Sequence, residues 1–134
     1  MKNILIVKMS SIGDVIYGQD CLDEFSMNAP TSVCEFKDGW YRRYTLKPED
    51  FGFTRCTKDD IRGGDPAENA AVTLAILKGA QGPKTDIVLL NAGAAIYVGG
   101  KAKNISEGIE IARQMIASGA ALKKLEKFKQ LSNA

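Results

Sequence analysis

A chain of 134 residues with a formal net charge of +2 and no histidine is long enough to bury one core without staples, and too weakly basic to point to nucleic acid. The missing imidazole removes the usual partner of a Ser or Cys nucleophile, so any chemistry must rest on carboxylates, lysine, tyrosine or a bound metal. Cys21, Cys34 and Cys56 make an odd total with no CxxC spacing, which excludes a zinc or disulfide framework and leaves buried free thiols in a reducing cytosol.

"NILIVK", residues 3–8, reads as a short buried strand. Its apolar part is too short to span a membrane and no cleavage-like signal follows, so a cytoplasmic protein with no membrane partner is expected. "MSSIGDVIYGQD" continues as a Gly-punctuated turn with room for a short helix. "TSVCEFK" (31–37) and "YRRYTL" (41–46) flank Asp38-Gly39. Asp-Gly between two alternating runs predicts a hairpin, because the tight turn needs positive φ. "KPEDFGF" leaves the hairpin through a Pro-led turn.

In "GGDPAENAAVTLAILKG", Asp65 suits an N-cap, Pro66 the first helical position, and Glu68 a capping box. With Gly79 at the stop, the spacing predicts a helix over 66–79. "DIVLLN" alone reads as a buried strand, but the Ala-rich continuation through Tyr97 and Val98 favours a helix over about 83–98. A third helix is predicted over 106–118, with Ser106 as N-cap and Ile109, Ala112 and Ile116 on its apolar face. The last, over 120–131, carries Leu122, Leu125 and Phe128 along a seam and its lysines on a solvated face. One strand and a hairpin followed by about four helices reads as an α/β chain of α+β-like order, or as a piece of a larger α/β sheet.

Asp23 and Glu24 stand side by side in "QDCLDEFSMNAPTSV". Adjacent acids are usually the polar lip of a turn. They become a magnesium site when phosphate and water oxygens complete the octahedron. The residues alone leave both readings open.

The blocks "YGQDCLDEFSMNAPTSVCEFKDG", "YTLKPEDFGF", "IRGGDPAENAAVTLAILKGAQGPKTDIVLLNAGAAIYVGGKAKNISEGIEIA" and "SGAALKKLEKF" resemble, in order and spacing, the C-terminal part of the anthranilate phosphoribosyltransferase family. The resemblance runs from about Val15 to Leu131. It implies part of the nucleoside phosphorylase/phosphoribosyltransferase catalytic domain, a mixed sheet surrounded by helices, with 83–98 helical. It also implies transfer of phosphoribosyl from phosphoribosyl pyrophosphate (PRPP) to anthranilate, in tryptophan biosynthesis. In that family "LDE" holds the magnesium that accompanies the pyrophosphate, which assigns Asp23 and Glu24 as Mg2+ ligands.

The sequence departs from the family in several places. The GTGGD-type phosphate loop and the arginine and asparagine that contact anthranilate have no counterpart here, and "GGD" at 63–65 precedes a capped helix instead. Tyr17 stands where histidine is usual, and Cys21 replaces the glycine before "LDE". The expectation is a truncated chain, inactive alone, that meets PRPP and anthranilate only if a partner chain supplies the missing half. The alternative is a non-catalytic folded remnant or association module.

The opening "MKNILIVKMSSIGDVI" resembles the start of lipopolysaccharide heptosyltransferases, whose turn aspartate, here Asp14, acts as base. That resemblance divides the chain into 1–16, a heptosyltransferase-like strand and turn, and 17–134, the phosphoribosyltransferase portion. It leaves a heptosyltransferase fragment as a third reading. The run "IVLLNAGAAIYV" cannot stay against water at roughly 25 cal/mol per Å². Either a homodimer buries it, or the "NILIV" strand closes the gap in a rearranged monomer.

Overall fold

The computed structural model describes residues 4–9, 25–37 and 39–132. Three strands, β1 (Ile4–Met9), β2 (Thr31–Lys37) and β3 (Trp40–Leu46), form one sheet in that order. Both pairings are antiparallel, so the mixed sheet implied by resemblance is not seen among the described residues. β2 and β3 are the expected hairpin. Lys37 pairs with Trp40, which leaves two connecting residues, and Gly39 has φ 82°, a region a side chain would make costly.

β2 alternates as a half-buried strand must: Thr31, Val33 and Glu35 are buried, while Ser32 and Phe36 are exposed. β1 runs along its other edge, from Ile4 opposite Lys37 to Met9 opposite Ser32. The thiols of Cys34 and Cys56 are free but only half-buried, which corrects the expectation of buried ones. Cys34 sits on the wetter parity of β2. Cys21 lies outside the described residues.

After a 3-10 turn at Pro48–Phe51 come four helices, α1 (Pro66–Leu77), α2 (Pro83–Val98), α3 (Ile105–Ala117) and α4 (Ala120–Ser132). α1 starts as its sequence dictates. Asp65 accepts the Glu68 N–H at 2.8 Å, and Glu68 accepts the Asp65 N–H at 2.9 Å. α3 starts differently: its cap is Asn104, which accepts the Glu107 N–H at 2.8 Å, and not Ser106. Counting from Asn104 puts an acidic residue at the third helical position, where its carboxylate turns back to the Lys103 N–H. Counting from Ser106 puts the buried Ile109 there, which can do neither.

α2 is the helix about which the rest is arranged. Leu89, Leu90, Ala94 and Tyr97 join Phe25, Met27, Val33 and Phe53 with Ile105, Ile109 and Ala112 of α3 in one core. Most of the run "IVLLNAGAAIYV" is therefore covered within the chain, by the sheet and its flanking loop together with α3, while Val88 and Ala95 stay exposed. That leaves little of the apolar surface through which a homodimer was expected. The strand at residues 4–9 closes the β2 edge, as the monomer alternative required. The outer helices are more loosely held. α1 buries only Ile76 and α4 buries nothing, with Phe128 of its expected seam exposed. No helix among the described residues is long and apolar enough to cross a membrane.

α2 and α3 touch backbone to backbone. A Cβ on Gly93 would come within 2.6 Å of the Ile109 nitrogen, and one on Gly108 would overlap the Gly93 carbonyl. Neither obstacle is the movable end of a side chain. Gly93→Ala and Gly108→Ala should each cost about 1–3 kcal/mol of stability, the usual penalty of overpacking. Urea denaturation checks this, and unchanged midpoints would contradict the close crossing.

Candidate functional site

Asn91 interrupts the apolar run of α2 and is half-buried. Its Oδ1 accepts the Phe25 N–H at 2.7 Å. Its Nδ2 donates to the Phe25 carbonyl at 3.1 Å and to the Ile87 carbonyl, one turn back, at 3.0 Å. A primary amide both accepts and donates, so one side chain satisfies both backbone groups of one residue, as a neighbouring strand would.

The loop that follows is held from other directions. The Ser26 N–H donates to Thr31 Oγ1 at 3.1 Å, and the Met27 carbonyl accepts the Cys56 N–H at 3.1 Å. The side chains of Phe25 and Met27 are buried in the core. Residue 25 is thereby fixed through its backbone, its ring and its successors.

Asp23 and Glu24, the residues expected to bind metal, lie outside the described residues, as do Asp14, Tyr17 and Cys21. The structure fixes the position next in the chain, Phe25. Among the described residues no group of three or more metal-ligating side chains occurs. Asp23 and Glu24 offer hard carboxylate oxygens in a chain with no histidine, a donor set that fits Mg2+ completed by phosphate and water oxygens.

A second polar cluster joins the hairpin to α2. Glu35 is wholly buried. Its Oε2 accepts from Arg42 Nε at 2.9 Å, Arg42 Nη2 at 2.7 Å and the Tyr44 hydroxyl at 2.9 Å, while Oε1 accepts the Tyr97 hydroxyl at 2.5 Å. Lys37 Nζ donates in turn to the Tyr97 oxygen at 3.3 Å. Arg42 is directly opposite Glu35 in the hairpin register.

Burial pushes the Glu35 carboxyl up, but the hydrogen bonds from Tyr97, Arg42 and Tyr44 outweigh it and hold the group below the usual carboxylate range. Burial and the same carboxylate push both tyrosine hydroxyls up. A buried charge is tolerable only with donors of this quality. Glu35 is ionised with both oxygens engaged, so its work is to tie hairpin to helix.

The sequence reading singled out neither Asn91 nor Glu35, although each leaves a trace. Asn91 is the lone amide inside "IVLLNAGAAIYV", and Glu35 shares the inward parity of Thr31 and Val33.

The sequence profile of the glycosyl transferase family, a/b domain, matches residues 4–122. The anthranilate phosphoribosyltransferase of Methanobrevibacter smithii is 52% identical over 119 residues, 89% of this chain and 36% of that protein. That of Clostridium beijerinckii is 48% identical over 117 residues, 87% of this chain and 34% of that protein. The chain thus spans about a third of the length of the curated relatives it matches. Among solved structures, the Thermus thermophilus anthranilate phosphoribosyltransferase aligns with a TM-score of 0.73 at 31% identity, over 99% of this chain and 36% of its own. The Saccharomyces cerevisiae enzyme in complex with PRPP and Mg aligns with a TM-score of 0.72 at 28% identity, over 84% of this chain and 33% of its own.

The Glu35 cluster has a pH signature. Its folded-state pKa lies below the unfolded one, so the unfolded chain takes up the proton first as pH falls. The stability it contributes is whole above the unfolded value and is lost as pH falls through the folded value. Glu35→Gln should be less stable than the wild type near neutral pH and converge on it in acid. Tyr97→Phe should cost about 1.5–3 kcal/mol near neutral pH, as for a hydrogen bond to a charged group. Urea midpoints across pH check both, and an unaltered acid slope in Glu35→Gln would contradict the assignment.

Proposed function

Since the chain belongs to the glycosyl transferase family, a/b domain, we propose that it forms the C-terminal portion of an anthranilate phosphoribosyltransferase catalytic domain and carries the metal side of its site. The observation that carries this reading is the likeness to enzymes of that name, which runs through the hairpin and all four helices. The reaction class joins the anthranilate amine nitrogen to the ribosyl carbon as the bond from that carbon to pyrophosphate breaks and the amine gives up a proton.

On this reading Asp23 and Glu24 hold Mg2+. When bound, the ion supplies charge neutralisation to the pyrophosphate leaving group. The chain's own part is to carry two adjacent carboxylates next in sequence to Phe25, whose backbone Asn91 anchors. The yeast relative whose structure contains PRPP and Mg supports the ligand class, and the same enzyme with 4-fluoroanthranilate supports the acceptor class.

Turnover needs preorganised donors on both substrates. These residues contain no counterpart of the phosphate loop or of the anthranilate contacts that the resemblance implies. The chain alone therefore binds metal and pyrophosphate weakly. PRPP and anthranilate are substrates of the completed domain, whose remaining part a partner chain would supply, in the cytoplasm. The division into a heptosyltransferase-like start, 1–16, and a phosphoribosyltransferase portion, 17–134, is carried by the resemblance of the first residues alone. The family match begins inside that start, at residue 4.

Titrating Mg2+ with inorganic pyrophosphate while following amide resonances tests the site. The expected result is a shift at Phe25 and Ser26 that requires both components and disappears in Asp23→Asn and Glu24→Gln. Resonances unmoved by either component would reduce the acidic pair to a polar turn.

A further inference from the structure

We propose that the tip of the β2–β3 hairpin is an anchor for polypeptide. Trp40 on one face and the Phe36–Tyr41 pair on the other seat in an apolar cleft of the part of the catalytic domain that these residues lack, and a carboxylate at the rim of that cleft meets Arg43. The inference rests on the reading that further polypeptide completes the domain, and deepens it by naming the surface that receives it.

The tip is fixed at its root and bare at its end. Glu35 ties β2 to α2 through Tyr97 and to β3 through Arg42 and Tyr44. Lys37, two residues on, still reaches the Tyr97 oxygen. Tyr97 is the last residue but one of α2, so the helix has no further turn with which to cover the positions nearest the bend. Trp40 shows the consequence. It pairs with Lys37 and so shares the inward parity of Arg42 and Tyr44, yet it is 80% exposed.

On the other face Phe36 and Tyr41 stand directly opposite one another, where cross-strand side chains meet, and they remain 44% and 54% exposed. Arg43, next on that face, lies over the Tyr41 ring at 5.6 Å and donates to its hydroxyl. An antiparallel sheet can keep one face in water, but that face is then polar, as it is where Ser32 opposes Thr45 at the far end of the same ladder. Three of the four exposed aromatic rings among the described residues sit on this tip. Exposed apolar side chains scattered singly need no partner, whereas a cluster marks a contact surface. Trp, Tyr and Arg are also the residues that dominate the binding energy of protein interfaces. A root already ordered means that the tip gives up little freedom on docking.

The occupant follows from length and charge. The Thermus thermophilus relative aligns over 99% of this chain but only 36% of its own, so about two-thirds of that polypeptide lies outside the elements described here. A second copy of this chain fits less well, because a two-fold axis at the tip would set Arg43 against Arg43. Among the described residues Arg43 has no carboxylate partner, unlike Arg42, which has Glu35.

The test replaces the matched residues of the Methanobrevibacter smithii relative with those of this chain, giving one continuous polypeptide whose folding is verified by a single cooperative melt. Hydroxyl-radical footprinting then compares each ring in the isolated chain and in the chimera. Oxidation of Trp40 should fall about tenfold in the chimera, as full desolvation of a ring now 80% exposed requires, with Phe36 and Tyr41 protected alongside it. A second arm co-expresses this chain with the rest of that relative and reads association by sedimentation. Trp40→Ser and Tyr41→Ser should each weaken association about thirtyfold, while Phe128→Ser, which removes an exposed ring of α4, should leave it unchanged.

Rings as reactive in the folded chimera as in the isolated chain, undiminished association in Trp40→Ser and Tyr41→Ser, or equal weakening by Phe128→Ser would each overturn the inference. So would protection of Trp40 in the isolated chain together with dimeric sedimentation, which would assign the tip to a second copy. Protection in the chimera without association of the separate parts would instead overturn the reading that a partner chain supplies the remainder, and leave the anchor standing. A chimera that does not fold would overturn the placement of this chain in that domain, and this inference with it.

Discussion

A helix that is apolar around most of its circumference cannot lie on a surface; it has to be covered on more than one side. α2 is such a helix, and the covering required by Leu89, Leu90, Ala94 and Tyr97 determines where the hairpin, the 25–31 loop and α3 can go. α3 meets it so closely that neither Gly93 nor Gly108 has room for a Cβ. The sheet side is less intimate in shape but more specific in chemistry. There α2 offers two polar side chains, Asn91 and Tyr97, and each finds its partner far away in the chain.

These two contacts have different consequences. Tyr97 meets a buried carboxylate that already has Arg42 and Tyr44, so it completes the satisfaction of a charge the hairpin could not bury alone. Its effect is on stability and on which face of the hairpin turns inward. Asn91 meets bare backbone, and backbone without a strand or helix partner has few other ways to be satisfied. Its effect is on the path of the chain at Phe25. Packing and the long-range polar contacts thus share one helix, while α1 and α4, which bury little, contribute little to either.

Much of the fold is legible because short signals act locally. Asp38-Gly39 between alternating runs needs no tertiary knowledge, and neither does the Asp65, Pro66, Glu68 start of α1. Periodicity leaves α2 open for a physical reason: a helix covered on two sides has no single apolar stripe, so it resembles a buried strand until length and resemblance decide. The α3 cap departs from expectation because Asn104 and Ser106 are both good caps, and the choice depends on the acidic residue three positions on. The surface expected to drive self-association proves mostly internal, since sequence shows that a run is apolar but not what lies against it.

The site is legible in a different way. Asp23 and Glu24 are conspicuous only through family resemblance, since adjacent acids are common in turns. Glu35 and Asn91 sit at readable positions, but their partners are known only once the hairpin register and the α2 docking are known.

The central claim, that α2 holds the 25–31 loop through a side-chain amide as firmly as it holds its own core, is most directly tested by native-state hydrogen exchange. The Phe25 N–H, whose acceptor is Asn91 Oδ1, should exchange as slowly as the amides of Leu90 and Ala94 and open with them as one cooperative unit. A Phe25 amide that exchanges at the rate of an open loop, while the amides of α2 remain protected, would contradict the account.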